Sequence, residues 1–435
     1  MSATSDTPRA VPQPARSDDT AQERLYSSVT PRPAAGLPRS LARVFSLDDL
    51  EPRARRILPR RIFGFVEGGV ETNAARDANR RAFAAWAFRP RVLTNTVGRS
   101  LHADLFGQDY AAPFGIAPMG ATSLIAFECE RVLAEAAGAA NIPFILSGAS
   151  LMPLETILKC NPDAWFQAYI PGDRARIGPL VDRVARAGYR TLVVTVDVPV
   201  GGNRENNARN GFMLPLRPGP SLAWDGLTHP RWLAGNMLRT LLRRGMPHFE
   251  NVDAMRGAPL ISAHAERSFG RRDALSWDDI AWIRDRWPGT LVLKGVLAPE
   301  DAALAARTGI DGIIVSNPGG RQLDGAMPAL AALADVRAAA GAMTVTMDSG
   351  VRRGTDVLKA LALGAAFVFL GRPFLYAAAV GGKAGVLHAI SLLSLEIDRN
   401  MAMLGCTRLD RLGAEHLVPA YQDRNGIRQE ERLRT

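Results

Sequence analysis

Residues 344–372 read TVTMDSGVRRGTDVLKALALGAAFVFLGR, which is two short apolar runs separated by a segment whose apolar residues have helical spacing. The runs at 344–347 and 366–370 have the length and the side-chain types of buried strands. The segment between them, GTDVLKALALG, ends at a glycine, as many helices do. This stretch therefore predicts a strand, a crossover helix and a second strand.

The same alternation is present earlier in the chain. Six further short apolar runs lie at 114–117, 143–146, 165–169, 191–196, 290–293 and 312–315. Eight buried strands with helical crossovers indicate an α/β protein with a closed (β/α)₈ barrel, a TIM barrel, rather than an open doubly wound sheet. One long loop insertion, about 202–287, interrupts the alternation after the fourth strand.

The region before the barrel has two parts. Residues 1–40 are polar and rich in proline, so we expect a disordered tail there. Helical patterns then follow Ser46, Pro59 and Thr72, with Ser46 and Thr72 as expected N-caps, and they predict an N-terminal helical arm. The expected organisation is a tail followed by one barrel domain over 41–435.

Composition and charge narrow the class of partner. The chain has 435 residues and a formal net charge of +10, but its arginines are spread along the sequence, so we expect no nucleic-acid partner. In 231–244, Trp, Leu and Met are mixed with Arg, which suits a membrane surface or a lid over an active site. Three cysteines lie far apart in the sequence without metal-ligand spacing, which favours a cytoplasmic protein. The insertion would then supply the peripheral membrane contact. No apolar run reaches about 18 residues, so we expect no transmembrane helix.

Polar groups occupy nearly every predicted strand end, where the chemistry of such a barrel is found. The last two loops, DSGVRRG and GRP, combine glycines with Arg352 and Arg372, and each precedes a helix. Glycines let backbone N–H groups approach an anion, while the arginines and helix N-termini add positive charge, which predicts a phosphate site. Lys294 ends the fifth strand, where an ammonium group is costly to bury unless it faces an anion.

Several segments are specific enough to indicate a family: PFGIAPMG, ILSGAS, WFQAYIPGDR, VVTVDVPVGGNRENNARNGF, LVLKGVLAPEDA, IIVSNPGGRQLDG and FLGRPFLY. In these segments and in the 344–372 stretch, the chain resembles the FMN-dependent α-hydroxy-acid oxidases and dehydrogenases, which include glycolate oxidase and the flavin lactate and mandelate dehydrogenases. The resemblance extends from about residue 41 to the C-terminus. The resemblance implies FMN as cofactor, a small anionic substrate and a homo-oligomer, which is a tetramer in this family.

The resemblance also implies which residues hold FMN. The backbone of residues 118–120 would lie against the flavin ring, and Lys294 would stabilise the reduced, anionic flavin electrostatically. Three further polar side chains would bond the edge of the ring, and the last two loops would hold the ribityl chain and the phosphate. The implied contacts are Pro118, Met119, Gly120, Ser147, Gln167, Thr195, Lys294, Ser316, Asp348, Gly350, Arg352, Gly371 and Arg372.

The substrate side of the site is only partly like the family. Two arginines that bind the substrate carboxylate correspond to Arg204 and Arg321, and an active-site tyrosine corresponds to Tyr169. A second family tyrosine, which also bonds the carboxylate, is assigned to Phe63 of IFGFVEGG. We therefore expect a carboxylate clamp that lacks one hydroxyl.

The largest departure is at the position of the catalytic base. The family has a histidine in an S-N-H-G segment, and this chain has Pro318 there, which cannot accept a proton. The carboxylate that orients the histidine in the family is present as Asp197. Because a general base contributes about 10²–10⁴-fold to a rate, we expect ordinary hydroxy-acid oxidation to be poor.

Three interpretations remain open from the sequence. The chain is an FMN oxidoreductase with altered chemistry on a carboxylate-bearing substrate, or a standard 2-hydroxy-acid dehydrogenase of the lactate or mandelate type with a substitute base. The candidates for that base are Asp197, His248 and His264, and the two histidines lie in the insertion. The third interpretation is a catalytically silent FMN-binding paralogue. The retained arginine clamp argues against it.

Overall fold

The barrel is the centre of the molecule. The computed structural model describes residues 37–262 and 272–420. Strands β4 to β11 form one eight-stranded parallel sheet, and a parallel bridge between Ile116 and Phe144 joins its two ends and closes it. The twelve strands are β1 (Trp86–Phe88), β2 (Ala103–Leu105), β3 (Gln108–Tyr110), β4 (Phe114–Ile116), β5 (Ile145–Ser147), β6 (Trp165–Tyr169), β7 (Thr191–Thr195), β8 (Thr290–Val296), β9 (Gly312–Val315), β10 (Thr344–Met347), β11 (Phe367–Leu370) and β12 (Leu417–Pro419). The predicted (β/α)₈ barrel is confirmed.

Helices surround the barrel because their apolar faces cover the outer side of the strands. They are α1 (Leu50–Ile57), α2 (Arg60–Glu67), α3 (Ala74–Ala84), α4 (Cys129–Ala139), α5 (Leu154–Cys160), α6 (Arg174–Ala187), α7 (Glu205–Arg209), α8 (Pro220–Leu227), α9 (Pro230–Trp232), α10 (Arg239–Arg244), α11 (Trp277–Arg286), α12 (Pro299–Arg307), α13 (Ala329–Ala339), α14 (Gly354–Ala362) and α15 (Arg372–Leu404). A π-helix, Leu233–Leu238, joins α9 to α10. Short 3₁₀ helices lie at Leu47–Asp49, Thr122–Leu124, Arg272–Ala274, Leu409–Arg411 and Ala414–His416.

The N-terminal arm consists of α1, α2 and α3. Ser46 begins the first helical segment through a capping box with Asp49, as predicted. The expected N-cap at Thr72 is wrong, because Asn73 occupies that position. Thr72 instead donates its backbone N–H to Asp324 at 2.9 Å, so its role is to hold the arm against the loop after β9.

The insertion predicted after the fourth barrel strand follows β7, and short helices alternate in it with loop segments. It contains α7 to α10 and the π-helix. Trp232, Asn236 and Thr240 are spaced four residues apart and are buried, and the Trp232 indole donates to the Leu124 carbonyl at 2.7 Å. This face anchors the insertion to the loop after β4. Of the substitute bases considered, His264 lies outside the described residues, as does most of the predicted 1–40 tail.

The last helix carries the C-terminal part of the chain back over the barrel. In the described part of the chain, α15 is the one helix long and apolar enough to cross a membrane by length and composition. Its backbone is broken at Gly382, where φ is 55°. Phe374, Val386 and Ile397 on this helix are fully buried, so α15 contributes to the core of the barrel.

Two small sheets lie outside the barrel, and the sequence pattern did not predict them. β1 pairs with β12 in antiparallel orientation, and β2 and β3 form a hairpin. These strands have three residues each, which is too short for an alternating pattern to be recognised. The pairing of β1 with β12 fastens the C-terminal segment to the end of the arm.

Candidate active site

One cavity of about 710 Å³ opens at the carboxyl ends of the barrel strands. Its volume is in the range of small-molecule and cofactor sites. Among the residues predicted from the sequence, those that line it are Pro118, Met119, Gly120, Gln167, Tyr169, Thr195, Arg204, Lys294, Pro318, Arg321, Asp348, Gly350, Arg352, Gly371 and Arg372. Ser147, Asp197 and Ser316 are not among the lining residues, although Ser147 contacts Gln167 and Ser316 contacts Lys294, which are. The structure therefore brings the predicted set together around one space.

A buried ion pair lies at the ends of β8 and β10. The Lys294 ammonium is 2.8 Å from the Asp348 carboxylate and donates to the Ser316 hydroxyl at 2.7 Å. Burial lowers the pKa of Lys294, but the carboxylates of Asp348 and Asp197 outweigh it, so the pKa is raised above its ordinary value. Lys294 thus remains a fixed positive charge in the cavity wall.

The polar groups beside this lysine suit the edge of a flavin ring. The Ser147 hydroxyl donates to the side-chain oxygen of Gln167 at 3.0 Å, which turns the amide nitrogen of Gln167 away from it. Among the described residues, that nitrogen is buried without a hydrogen-bond partner. A buried donor at a cavity wall needs an acceptor, and the ring carbonyls and nitrogens of a flavin supply acceptors. This donor, with Lys294, fits FMN.

The two glycine loops also line the cavity. Gly350 has φ of 86°, and a Cβ there would lie 2.5 Å from the Asn79 carbonyl, so only glycine fits. Burial lowers the pKa of Arg352 and brings that of Arg372 to about 10. Arg372 begins α15 and also donates to the Gly319 carbonyl at 3.0 Å. Two buried guanidinium groups beside helix N-termini match the charge of a phosphate.

The two arginines that we expect to bind a substrate carboxylate, Arg204 and Arg321, both line the cavity. Arg321 donates to the carbonyls of Val66 and Gly68 at the end of α2, at 3.2 and 2.7 Å. Arg204 donates to the Gln322 side chain at 3.3 Å. Burial lowers the pKa of both arginines, and the charges of Arg204 and Arg372 lower that of Arg321 further. An anion bound between the two guanidinium groups relieves this repulsion.

The assignment of the missing tyrosine to Phe63 is wrong. Phe63 faces away from the cavity, because its ring stacks on Tyr376 with centroids 5.9 Å apart. Phe65, two residues later on α2, lines the cavity, and the Arg321 guanidinium lies 5.2 Å from its ring centroid. The ring of Phe65 also stacks on Phe212 at 4.4 Å. Position 65 is therefore the one where a hydroxyl would reach the substrate.

The carboxylate of Asp197, which the family resemblance pairs with the residue at position 318, is buried. Both carboxylate oxygens of Asp197 are buried and have no hydrogen-bond partner among the described residues. Burial raises the pKa of Asp197 to about 7, against the attraction of Lys294. The backbone of Pro318 has φ of 28°, although the proline ring favours about −65°. The loop thus keeps a conformation that a proline strains and that an ordinary residue adopts more easily.

No histidine replaces the missing base among the residues that the structure describes. His248 lies in the insertion, and its ring nitrogen Nδ1 is 2.9 Å from the Met246 carbonyl oxygen. The lining of the cavity contains no histidine from the described ranges. His248 is therefore not a substitute base in this structure, and Asp197 is the remaining described candidate.

Sequence reasoning missed five polar residues that line the site, among them Ser349 and Arg272. Ser349 has φ of 80°; its hydroxyl donates to Asp348 at 2.8 Å and accepts from the Gly319 backbone N–H at 3.0 Å. It therefore holds the Pro318 loop against the loop after β10. Arg272, at the end of the insertion, lines the cavity and was absent from the predicted set. Nothing local distinguishes it from the many surface arginines of this chain.

Comparisons with known proteins agree with the site. A sequence model of the family described as FMN-dependent dehydrogenase matches residues 54–419. The (S)-mandelate dehydrogenase of Pseudomonas putida is 37% identical over 86% of this chain and 94% of its own length. An L-lactate dehydrogenase of Pectobacterium atrosepticum is 38% identical over 86% of this chain and 97% of its own length. The crystal structure of monotopic membrane protein (S)-mandelate dehydrogenase superposes with a TM-score of 0.79 at 36% identity, over 87% of this chain and 100% of that one.

Proposed function

The chain belongs to the family of FMN-dependent α-hydroxy-acid dehydrogenases, and on that premise we propose that it oxidises a carboxylate-bearing substrate by a reaction that needs no histidine base. It is an FMN-dependent oxidoreductase, and its cofactor is FMN. The observation that carries the proposal is Pro318 in the cavity lining, together with an Asp197 carboxylate that is buried without a hydrogen-bond partner among the described residues. The chain retains the residues with which the family binds FMN and the substrate carboxylate, but it lacks the histidine that accepts the proton in the family.

The residues that line the cavity have separate roles in the proposed reaction. FMN, when bound, supplies a two-electron acceptor. Lys294 keeps a positive charge at the cavity wall, which favours negative charge that develops next to it. Arg204 and Arg321 bind and orient the substrate carboxylate, and Phe65 and Phe212 exclude water from the same wall. Suitable substrates carry their own proton acceptor, as a neutral α-amino group does, or pass the proton to water.

A standard hydroxy-acid dehydrogenase with Asp197 as base is the second candidate. A carboxyl group with a pKa of about 7 is matched to proton transfer at neutral pH. The side chain does not line the cavity, however, and Pro318 does. Proton transfer to Asp197 therefore needs a movement of the Pro318 loop or a bridging water. The first candidate needs neither.

A silent FMN-binding paralogue is the weakest candidate. A protein that only stores flavin has no use for the two arginines on the substrate side. Burial of the Arg321 and Arg204 guanidinium groups costs desolvation free energy. A bound anion offsets this cost. The two retained arginines therefore support the interpretation that the protein binds a small anionic substrate.

We also propose that the insertion rests on a membrane surface. One face of the 230–244 segment is buried through Trp232 and Asn236, while Leu242 on the other face is 85% exposed. Trp224 and Leu227 of α8 are also exposed, at 68% and 65%. Arginines flank these apolar side chains and suit anionic lipid headgroups. Peripheral contact of this kind agrees with the monotopic membrane (S)-mandelate dehydrogenase to which this chain is similar. We propose in addition that the enzyme is cytoplasmic and a homo-oligomer.

Anaerobic reduction of the bound flavin tests the proposal. The holoenzyme is mixed without oxygen with 2-hydroxy acids, α-amino acids and matched amides, and the loss of visible flavin absorbance is followed. We expect reduction by carboxylates other than simple hydroxy acids, and loss of it in Arg321→Met. Fast reduction by hydroxy acids supports the second candidate. Reduction by no member of a broad panel supports the silent paralogue.

A further inference from the structure

Two buried asparagines join the N-terminal arm to the loop after β9. The Asn79 amide nitrogen donates to the Asn317 side-chain oxygen at 2.7 Å, and the Asn317 amide nitrogen donates to the Asn79 oxygen at 3.0 Å. Asn79 is 2% exposed and Asn317 is 4% exposed. Asn79 lies on α3, and Asn317 follows β9 at a distance of 238 residues in sequence. The pair is therefore a specific long-range contact between the arm and the barrel.

Backbone groups extend this pair into a buried network. The Asn317 oxygen also accepts from the Gly320 N–H at 3.2 Å, and its nitrogen also donates to the Met327 carbonyl at 3.2 Å. The Asn79 oxygen accepts from the Ala329 N–H at 3.4 Å. Displacement of a buried network leaves donors or acceptors unpaired, which is costly, so the network selects one position of the loop.

The loop held in this way carries residues of the site. The residue before Asn317 is Ser316, whose hydroxyl accepts from the Lys294 ammonium at 2.7 Å. The residue after it is Pro318, which lines the cavity, and Arg321 lines the cavity three residues later. A displacement of Asn317 therefore moves the segment on which both Pro318 and Arg321 stand.

The arm also supports the next part of the loop. The Val70 N–H donates to the Gly320 carbonyl at 3.1 Å. A Cβ on Gly320 would lie 2.3 Å from the backbone nitrogen of Arg76, so the loop packs directly on the backbone of α3. The Arg321 guanidinium donates to two carbonyls at the end of α2. The arm is thus the support on which the substrate side of the loop rests.

We infer that Asn79 is a positioning residue of the active site: through Asn317 it fixes the places of Pro318 and Arg321 in the cavity, and so it sets the affinity for a substrate carboxylate. The inference rests on the proposed function, because it takes Arg321 as a carboxylate ligand. Asn79 is not among the lining residues, so it acts through the loop. A displacement of about 1 Å far from the chemistry can cost about 10²-fold in rate, so such a residue can have a large effect.

Binding of phenylacetate to the holoenzyme tests the inference without turnover. Its affinity is measured from the perturbation of the flavin absorbance, and FMN affinity is measured separately by titration of the apoprotein. Asn79→Ala leaves the Asn317 amide without this partner, and we expect phenylacetate to bind at least tenfold more weakly. FMN affinity should stay within about threefold, because alanine keeps the backbone and Cβ of position 79 that pack against Gly350.

A matched control separates positioning from a general loss of stability. Asn161 is also buried, at 5% exposed, and its amide donates to the Ala134 carbonyl at 3.0 Å outside the cavity lining. Asn161→Ala should lower the melting temperature, as Asn79→Ala does, but leave phenylacetate affinity within about threefold. If Asn79→Ala does not fold, Asn79→Ser takes its place. Serine keeps a polar group but is too short to make both bonds, and it should weaken binding in the same direction.

A double-mutant cycle shows whether Asn79 acts through Asn317. Asn317→Ala should weaken phenylacetate binding by about the same factor as Asn79→Ala. The double variant should then bind within about threefold of either single variant, because both substitutions remove the same contact. Losses that multiply in the double variant would show that the two residues act independently, which overturns the inference.

The outcomes separate this inference from the proposed function. If Arg321→Met weakens phenylacetate binding and Asn79→Ala does not, the inference is overturned and the carboxylate clamp stands. Equal losses of affinity in Asn79→Ala and Asn161→Ala would mean that only stability is involved, which also overturns it. If wild type binds no carboxylate, the proposed function fails and the inference fails with it.

Discussion

Substitution of Asp197 by asparagine should stabilise the folded protein, and the gain should depend on pH. Burial raises the pKa of Asp197 from 3.8 to about 7. A carboxyl group whose pKa is higher in the folded state binds its proton more tightly there, so the folded state loses stability as pH rises from the unfolded to the folded pKa. The penalty begins near pH 4, grows up to about pH 7 and is constant above it.

The size of the effect follows from the shift. One pKa unit corresponds to about 1.4 kcal/mol, so a shift of roughly three units makes the ionised carboxylate cost about 4 kcal/mol of unfolding free energy above pH 7. Asparagine is never ionised and avoids this cost. The difference in unfolding free energy between Asp197→Asn and wild type should therefore be larger at pH 8 than at pH 4 by a few kcal/mol.

The assay is urea unfolding of wild type and Asp197→Asn at several pH values with FMN in excess. Comparison of the two proteins cancels the titration of every other group. Asp182→Asn is the control, because an arginine lowers the pKa of that exposed carboxyl group, and its removal should not stabilise the protein at high pH. If the difference between Asp197→Asn and wild type is the same at pH 4 and pH 8, Asp197 is not an unpaired buried acid and the reasoning about Pro318 is wrong.

Three further substitutions test other parts of the account. Pro318→Gly should raise the unfolding free energy by about 1 kcal/mol, because glycine accepts a φ of 28° without strain. Thermal unfolding measures this gain, and an unchanged or lower melting temperature would show that the loop is not strained. Arg372→Glu should abolish FMN binding in a fluorescence titration, whereas Arg399→Glu on the exposed side of the same helix should not; FMN bound as tightly as in wild type would remove the phosphate assignment. Leu242→Glu should lower binding to anionic vesicles about tenfold, and Met403→Glu, which changes an exposed apolar residue elsewhere, should leave it intact; equal losses would argue against contact through the insertion.

The barrel and most of the site could be predicted because they depend on local patterns. Each strand is a short apolar run, and a polar residue directly after such a run must lie at the carboxyl end of the barrel, as Lys294 and Asp348 do. The loop glycines are equally local, because they directly follow predicted strands, and the positive φ of Gly350 is a further feature that only the structure shows.

The errors concern features that depend on three-dimensional packing. Phe63 and Phe65 are two residues apart on one helix, and only the rotation of α2 against the barrel decides that Phe65 faces the cavity. Arg272 is one arginine among many, and its place in the cavity wall depends on its packing against Tyr169. The residue type of Thr72 predicts an N-cap, but its partner, Asp324, lies 252 residues away. Short strands such as β1 and β12 form only because their partners are brought to them.

The central claim is that the proton acceptor for hydroxy-acid oxidation is missing at position 318. The most direct test is the rate constant at which saturating (S)-mandelate or L-lactate reduces the bound flavin, measured without oxygen in a stopped-flow experiment on wild type and Pro318→His. The unpartnered Asp197 carboxylate is available to orient the new imidazole. We expect Pro318→His to be faster than wild type by about 10²-fold or more. A wild-type protein that is reduced by these acids as fast as Pro318→His would contradict the account.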